Sequence, residues 1–159
     1  MTIRPRRKTD YIVIHSAATP ASRDIGRKEI AQWHRAKGWR DIGYHYVIRR
    51  DGTVEVGRPQ QEPGAHHVPV NASSVAVVMV GGTKPDGKTP ELNYTPAQFA
   101  ALRPLIERLS REYPGAEVVG HRDLSPDKNG DGKITKNEWT KACPVFDARH
   151  WWATGEVRA

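Results

Sequence analysis

The sequence predicts one α/β domain, and three observations lead to that fold class. The length of 159 residues is that of a single domain. Short β-branched runs alternate with segments of helical periodicity, and no internal repeat or low-complexity linker divides the chain. Hydrophobic residues make up 37% and charged residues 27%, as is usual in globular proteins. We therefore expect one domain over residues 1–159. No apolar run approaches the ~20 residues of a membrane span.

The chain begins with a predicted strand and a predicted helix. Residues 11–14 are an apolar, β-branched run, which predicts a buried strand that leads to His15. Asp24 is a candidate N-cap for a helix whose apolar positions recur at helical spacing as far as Ala36. Gly38 is the expected end of that helix.

A hairpin and a central strand follow. Residues 44–48 and 53–56 are predicted strands on either side of Asp51-Gly52, a dipeptide typical of tight hairpin turns. Residues 75–80 are continuously apolar, which predicts a strand buried on both faces of the sheet.

The longest predicted helix begins at a capping box. Thr95 and Gln98 have the capping-box spacing, with Pro96 at the first helical position, and the helix extends to about Tyr113. Pro104 inside it predicts a kink. Its apolar face consists of Leu102, Leu105, Ile106 and Leu109.

Two short elements complete the predicted domain. Residues 117–120 form a strand that leads to His121. Asp147 is a candidate N-cap for a terminal helix that includes Trp151 and Trp152.

The net charge of +7 suits an anionic partner. Nucleic acid and an acidic cell envelope are both candidates, and solubility alone is an equally good explanation. The one cysteine, Cys143, excludes an internal disulfide framework. It leaves a thiol that is buried, reactive or bound to a metal.

Two histidines and this thiol suggest a metal centre. His15 and His121 each stand where an apolar strand gives way to a loop. Two imidazoles and one thiolate are a known ligand set of catalytic zinc, in which water takes the fourth position. The spacing is not a compact motif, so the residues alone leave structural or exposed histidines as the alternative.

Several segments recur in an order that resembles a known family. They are IVIHSAAT (12–19), EIAQWH (29–34), GW (38–39), IGYHYVI (42–48), RDGTVE (50–55) and KACP (141–144), extended by TPAQ (95–98). In this order they resemble the zinc-dependent N-acetylmuramoyl-L-alanine amidases of the phage lysozyme type. More remotely, the chain is similar to animal peptidoglycan recognition proteins, some of which bind without cleaving.

The resemblance implies a central mixed sheet flanked by helices, with a groove for peptidoglycan above a zinc ion. It implies zinc ligands at His15, His121 and Cys143 and catalytic residues at Tyr44 and Lys141. The reaction is then hydrolysis of the bond between N-acetylmuramic acid and L-alanine by zinc-activated water. We expect the protein to be a monomer. Without the resemblance, Tyr44 is a half-buried strand aromatic and Lys141 a solvated charge. His66 matches a histidine near the cleft of phage amidases, and no role is assigned to it.

The resemblance also implies two rival functions. A peptidoglycan-binding module is one, although Cys143 favours an enzyme, since non-catalytic binders are expected to lack it. An RNA polymerase inhibitor is the other, because a phage relative also binds that polymerase. The apolar run near the amino terminus is too short for a signal peptide. We therefore expect synthesis in the host cytoplasm and a holin-like route to the cell wall.

An insertion relative to phage amidases, between His121 and Lys141, matches the twelve-residue calcium loop of EF-hands over residues 127–138. Its diagnostic positions 1, 3, 5, 6, 7 and 12 are filled in order by Asp127, Asn129, Asp131, Gly132, Lys133 and Glu138. Lys133 offers its backbone carbonyl, and Glu138 is the expected bidentate ligand. The alternative is a polar surface loop. Pro126 and Pro144 exclude flanking helices, so we expect a lone loop.

Overall fold

A five-stranded mixed sheet forms the centre of the computed structural model, which describes residues 4–159. The predicted domain begins three residues before this part of the chain. The seven strands are β1 (Tyr11–Ser16), β2 (Thr19–Pro20), β3 (Tyr46–Ile48), β4 (Val54–Val56), β5 (Ser74–Met79), β6 (Gly82–Thr83) and β7 (Glu117–Gly120). The large sheet has the order β4-β3-β5-β1-β7, and β2 pairs with β6 in a separate two-stranded sheet.

Residues 4–159 also contain three α-helices and three short 3₁₀ segments. The helices are α1 (Arg27–Ala36), α2 (Pro96–Glu112) and α3 (Ala148–Thr154). The 3₁₀ segments are Val68–Ser73, His121–Leu124 and Lys136–Glu138. Among the residues described, no helix has both the length and the apolar composition needed to cross a membrane. The predicted α/β class with a mixed sheet is confirmed.

The sheet buries both of its faces. One face packs against α2 and α3 through a core that includes Ile14, Val77 and Leu105. The other packs against α1 through Ile30, with Val47 and Val78 from the strands. Full burial of each such side chain contributes roughly 1.5–3 kcal/mol to folding. β5 is buried along its whole length between its parallel neighbours β1 and β3, as its apolar run predicts.

The start of α1 differs from the prediction. The N-cap is Gly26, and Asp24 stands outside the helix, 3.7 Å from the Arg49 guanidinium. Glu29 accepts the Gly26 N–H at 3.2 Å, and Glu55 accepts the Arg27 N–H at 3.0 Å. These carboxylates satisfy N–H groups of the first turn, so Asp24 is not needed as a cap.

The capping box of α2 forms as predicted and also fastens the helix to the sheet. Thr95 Oγ1 accepts the Gln98 N–H at 3.1 Å, and Gln98 Oε1 accepts the Thr95 N–H at 2.9 Å. The buried Gln98 amide donates to the carbonyls of Val80 and Ile48, at 2.8 and 3.2 Å. The helix continues through Pro104. Its four predicted apolar positions are all buried.

Candidate active site

The parallel pairing of β1 and β7 brings two histidines together. In the register of these strands, Ile14 lies beside Gly120, so the next residues, His15 and His121, stand side by side. Their ring centroids are 4.6 Å apart. His15 pairs in register with Val78, which belongs to the α1 core. The two imidazoles therefore lie at the carboxyl ends of β1 and β7, on the face of the sheet that carries α1.

Cys143 joins this pair from a loop near the carboxyl terminus. Its Sγ accepts the backbone N–H of Ser16 at 3.0 Å and lies 3.8 Å from Nδ1 of His15. One ligand atom from each of His15, His121 and Cys143 lies within 4.8 Å of the others. Ligands of a tetrahedral zinc ion stand about 3.3–3.6 Å apart at the usual Zn–N and Zn–S distances. The three residues therefore fit zinc in donor type and in spacing.

The protonation of these groups also suits a cation. Burial, followed by the neighbouring His66 and His121, lowers the pKa of His15 well below its usual value. Burial and the adjacent His67 and Lys141 lower the pKa of His121 to about 4. Both rings are therefore neutral at pH 7, which is the form that binds metals.

The Cys143 thiol is protonated at neutral pH in the absence of a cation. Burial raises the pKa of Cys143 to about 12, although the Ser16 N–H and the charges of Lys141 and Arg122 act in the opposite direction. A divalent ion would reverse this balance, since a coordinating thiol is deprotonated.

Tyr44 and Lys141 line the cleft above the two histidines and the thiol. The Tyr44 ring is centred 5.0 Å from that of His15, and its backbone carbonyl accepts the Arg58 N–H at 2.9 Å. Burial, with a contribution from Cys143, raises the pKa of Tyr44, so the phenol stays protonated at neutral pH. Lys141 is exposed to solvent.

Sequence reasoning assigned no role to three other residues of the cleft. Trp33 and Trp39 line it and are 36% and 37% exposed. His34 lies against Trp39, and its Nδ1 accepts the Gly43 N–H at 2.8 Å. Helical spacing predicts that Trp33 packs on one side of α1, but it does not indicate which turn of a helix borders a cleft.

His66 and His67 contact the two candidate metal ligands His15 and His121. Nδ1 of His66 lies 2.8 Å from Nε2 of His15, and Nε2 of His66 lies 2.9 Å from the Ser74 hydroxyl. Nδ1 of His67 lies 3.3 Å from Nε2 of His121. Burial is the main cause that lowers the pKa of His66 to about 3. The consecutive histidines at positions 66 and 67 are the sequence signal that could have predicted these contacts.

The predicted calcium loop is a compact acidic loop. Carboxylate oxygens of Asp127, Asp131 and Glu138 lie within 4.8 Å of one another. Glu138 is buried, and its carboxylate accepts the N–H groups of Lys128 at 2.6 Å and Thr135 at 3.1 Å. The remaining predicted ligand residues, Asn129 and Lys133, lie in the same exposed turn. No α-helix flanks the loop, as the prolines predict.

Comparison with known proteins decides the family. The sequence profile of N-acetylmuramoyl-L-alanine amidases matches residues 5–144, which is most of the chain. The chain belongs to this amidase family. It is 45% identical to an endolysin of Klebsiella phage KP32 over 152 residues, which cover 96% of the chain and 91% of that endolysin.

Two solved structures share the fold of this chain. The Ph2119 endolysin from a Thermus scotoductus bacteriophage has a TM-score of 0.66 at 26% identity, with 89% of this chain and 81% of that one covered. Drosophila PGRP-LB, at 23% identity, has a TM-score of 0.67 over 96% of this chain and 82% of its own. The expected enzyme class, an N-acetylmuramoyl-L-alanine amidase that hydrolyses peptidoglycan, is confirmed by the family and its endolysin members.

Proposed function

We propose that this amidase is an endolysin-type enzyme that cuts the bond between N-acetylmuramic acid and L-alanine with zinc held by His15, His121 and Cys143. The observation that carries the proposal is the convergence of these three donors at one end of the sheet, beneath an open cleft. Zinc bound there supplies a Lewis acid, which acidifies water and polarises a carbonyl.

Contacts within the protein position the proposed zinc ligands His15 and Cys143 before a metal binds. Nδ1 of His15 faces Sγ of Cys143, so the nitrogen and sulfur donors point at a common volume. The Ser16 N–H stabilises negative charge on the sulfur from a rigid strand. Because His15 and Cys143 are both fixed by β1, little side-chain freedom is lost when a metal binds.

Tyr44 and Lys141 act on the substrate in this proposal. Attack on the amide carbonyl develops negative charge on its oxygen, and a nearby ammonium or hydroxyl group stabilises that charge. Lys141 precedes Cys143 by two residues and borders the same cleft, so its ammonium is available to the developing oxyanion. The protonated Tyr44 hydroxyl can donate a hydrogen bond to the carbonyl oxygen or orient water.

The cleft walls suit a glycopeptide. Trp33 and Trp39 expose aromatic faces at the cleft, and such faces pack well against the apolar faces of sugar rings. Lys37 and Lys141 add positive charge beside them, which favours the carboxylates of peptide stems. The net charge of +7 also favours an anionic cell envelope.

The acidic loop is proposed to bind calcium within a single domain that spans residues 1–159. Three carboxylates repel one another in the absence of a cation, and calcium offsets that repulsion. Thr140 donates its N–H to the Ser125 hydroxyl at 3.1 Å and so closes the base of the loop. Because the loop lies between His121 and Cys143, ordering it lowers the entropy cost of assembling the zinc site.

We further propose that the enzyme is made in a phage-infected cell and reaches peptidoglycan through a holin-like route. Similarity to phage endolysins supports this proposal.

The decisive experiment is digestion of purified peptidoglycan by the zinc-loaded protein. Hydrolysis of this amide releases new amino groups of L-alanine without new reducing sugar ends. A chelator should abolish the release, and added zinc should restore it. Binding to peptidoglycan without amine release would instead identify a non-catalytic recognition module, and new reducing ends would identify a glycosidase.

A further inference from the structure

We propose that His66 is a positioning residue that fixes the proton of His15 on Nε2 and leaves the Nδ1 lone pair free towards Cys143. The inference rests on the proposed zinc site, and its evidence is a chain of hydrogen bonds from His15 to a backbone carbonyl. The chain runs from His15 Nε2 to His66 Nδ1 at 2.8 Å, then from His66 Nε2 to Ser74 Oγ at 2.9 Å. It ends where Ser74 Oγ lies 2.7 Å from the carbonyl oxygen of Val70.

The carbonyl at the end of the chain determines the direction of every donor. The Val70 oxygen can only accept, so the Ser74 hydroxyl uses its one proton there. Towards His66, Ser74 Oγ is therefore an acceptor, and Nε2 of His66 must carry a proton. A neutral His66 then has a lone pair on Nδ1, which accepts the proton of His15 Nε2.

The ring nitrogen of His15 that remains free is Nδ1, and it faces Cys143. With its proton held on Nε2, a neutral His15 has its lone pair on Nδ1, which faces Cys143 Sγ at 3.8 Å. The other tautomer would place a proton between the two donor atoms and would have to rearrange before a metal could bind. Outer partners of this kind commonly set the tautomer and orientation of metal-binding histidines.

The surrounding backbone holds the His66 ring in place. The Asn71 side-chain oxygen accepts the N–H groups of both His66 and His67 at 2.9 Å. Ser74 is completely buried at the first position of β5 and pairs in register with Tyr11. The end of the chain is thus anchored in the central sheet, and the His66 ring is set between two fixed partners.

The test uses Ser74, because it lies outside the cleft and contacts neither His15 nor Cys143. Ser74→Ala removes the acceptor for His66 Nε2, so both tautomers of His66 become available and His15 loses its fixed donor role. We expect zinc affinity, measured by competition with a chelator, to fall about 2–5-fold, because only the fraction of molecules in the competent tautomer binds zinc. Ser74→Thr retains the hydroxyl and should restore affinity.

The neighbouring serine provides a matched control. Ser73 Oγ also lies near the Val70 carbonyl, at 3.5 Å, but makes no hydrogen bond to His66. Ser73→Ala should therefore bind zinc like the parent. Nitrogen-15 NMR of the zinc-free proteins adds a readout that packing alone would not change. In the parent and in Ser74→Thr, His15 and His66 should both carry their proton on Nε2, whereas Ser74→Ala should show mixed tautomers.

If Ser74→Ala does not fold, a second pair of variants tests the same role of His66. His66→Asn places an amide oxygen near the position of Nδ1 and should keep zinc affinity within a few-fold, whereas His66→Leu fills the space without an acceptor and should lose it. Parent-like zinc affinity and His15 tautomer in folded Ser74→Ala or His66→Leu would overturn the proposal. Tight zinc binding with the expected tautomers, but no peptidoglycan hydrolysis, would overturn the proposed function alone.

Discussion

The backbone N–H of Ser16 donates a hydrogen bond to the sulfur of Cys143 at 3.0 Å, across 127 positions of sequence. Ser16 is the last residue of β1, and His15 precedes it in the same strand. One strand therefore supplies a proposed zinc ligand through its side chain and fixes another through its backbone. We therefore expect single substitutions at this end of β1 to disturb the proposed metal centre.

Replacement of the thiol tests the metal assignment. Cys143→Ser should reduce zinc affinity and peptidoglycan hydrolysis by more than about 100-fold, because loss of a ligand exceeds the usual cost of losing an outer partner. Zinc content after dialysis and amine release measure the two effects. His150→Gln, a histidine on α3 and outside the cleft, serves as the control. A Cys143→Ser protein with full zinc content and full activity would refute the assignment.

Two substitutions separate chemistry from metal binding. Tyr44→Phe and Lys141→Met should each lower kcat about 10²–10³-fold, since each removes a group that stabilises developing charge. Zinc content should equal that of the parent, because neither residue is a proposed ligand. If both variants hydrolyse muropeptides at the parent rate, the proposed roles are wrong.

The aromatic faces of the cleft should contribute to substrate binding. Trp33→Ala and Trp39→Ala should each raise KM for a muropeptide about 2–10-fold, with a smaller effect on kcat, as expected for a lost aromatic contact of about 0.5–1.5 kcal/mol. Val56→Ala provides a control at an exposed apolar residue on β4, outside the cleft. Unchanged KM in both tryptophan variants would exclude the proposed sugar contacts.

Calcium should stabilise the protein without joining the reaction. At a concentration 100-fold above its Kd, calcium should add about 2.7 kcal/mol to the free energy of unfolding and slow zinc loss. The affinity is expected between roughly 10⁻⁷ and 10⁻³ M. Calorimetric titration of the zinc-loaded protein and thermal melts measure these effects.

The control for calcium is an aspartate in a similar turn outside the loop. Asp127→Ala/Glu138→Ala should abolish the response, whereas Asp86→Ala, which also removes a carboxylate that accepts backbone N–H groups, should keep it. Absence of calcium heat and of any melting shift in the parent would disprove the calcium site and leave the amidase proposal intact.

His45 should make stability depend on pH. Its Nδ1 accepts the Ala76 N–H at 3.0 Å, its Nε2 donates to the Glu62 carbonyl, and burial lowers its pKa to about 4. The unfolded chain binds this proton below about pH 6.5, so stability falls as pH drops from 6.5 towards 4. Between pH 7 and 5 the loss from His45 should be about 2 kcal/mol.

Urea unfolding at both pH values measures this dependence. His45→Asn keeps an acceptor for the Ala76 N–H but has no titrating ring, so its stability should change less over the same interval. The same pH slope in the parent and in His45→Asn would contradict the assignment.

Local signals in the sequence were sufficient for most of the secondary structure. The Thr95–Gln98 capping box and the Asp147 N-cap act within one helical turn, so the residues that make them are neighbours in sequence. The ends of two predicted strands and the single thiol suggest His15, His121 and Cys143 as metal ligands, and the family resemblance assigns them to zinc. The predicted N-cap at Asp24 is wrong, because Glu55, a residue of β4, accepts the backbone N–H of Arg27 in the first turn of the helix.

The tertiary structure alone decided which of these residues meet. His15 and His121 become neighbours through the parallel register of β1 and β7, and Cys143 joins them through the Ser16 backbone. Tertiary packing also places Ser74 next to His66 and brings Trp33 of α1 into the lining of the cleft. The physical reason is that periodicity and capping are set within a few residues, whereas contacts between distant residues depend on which strands pair and in what register.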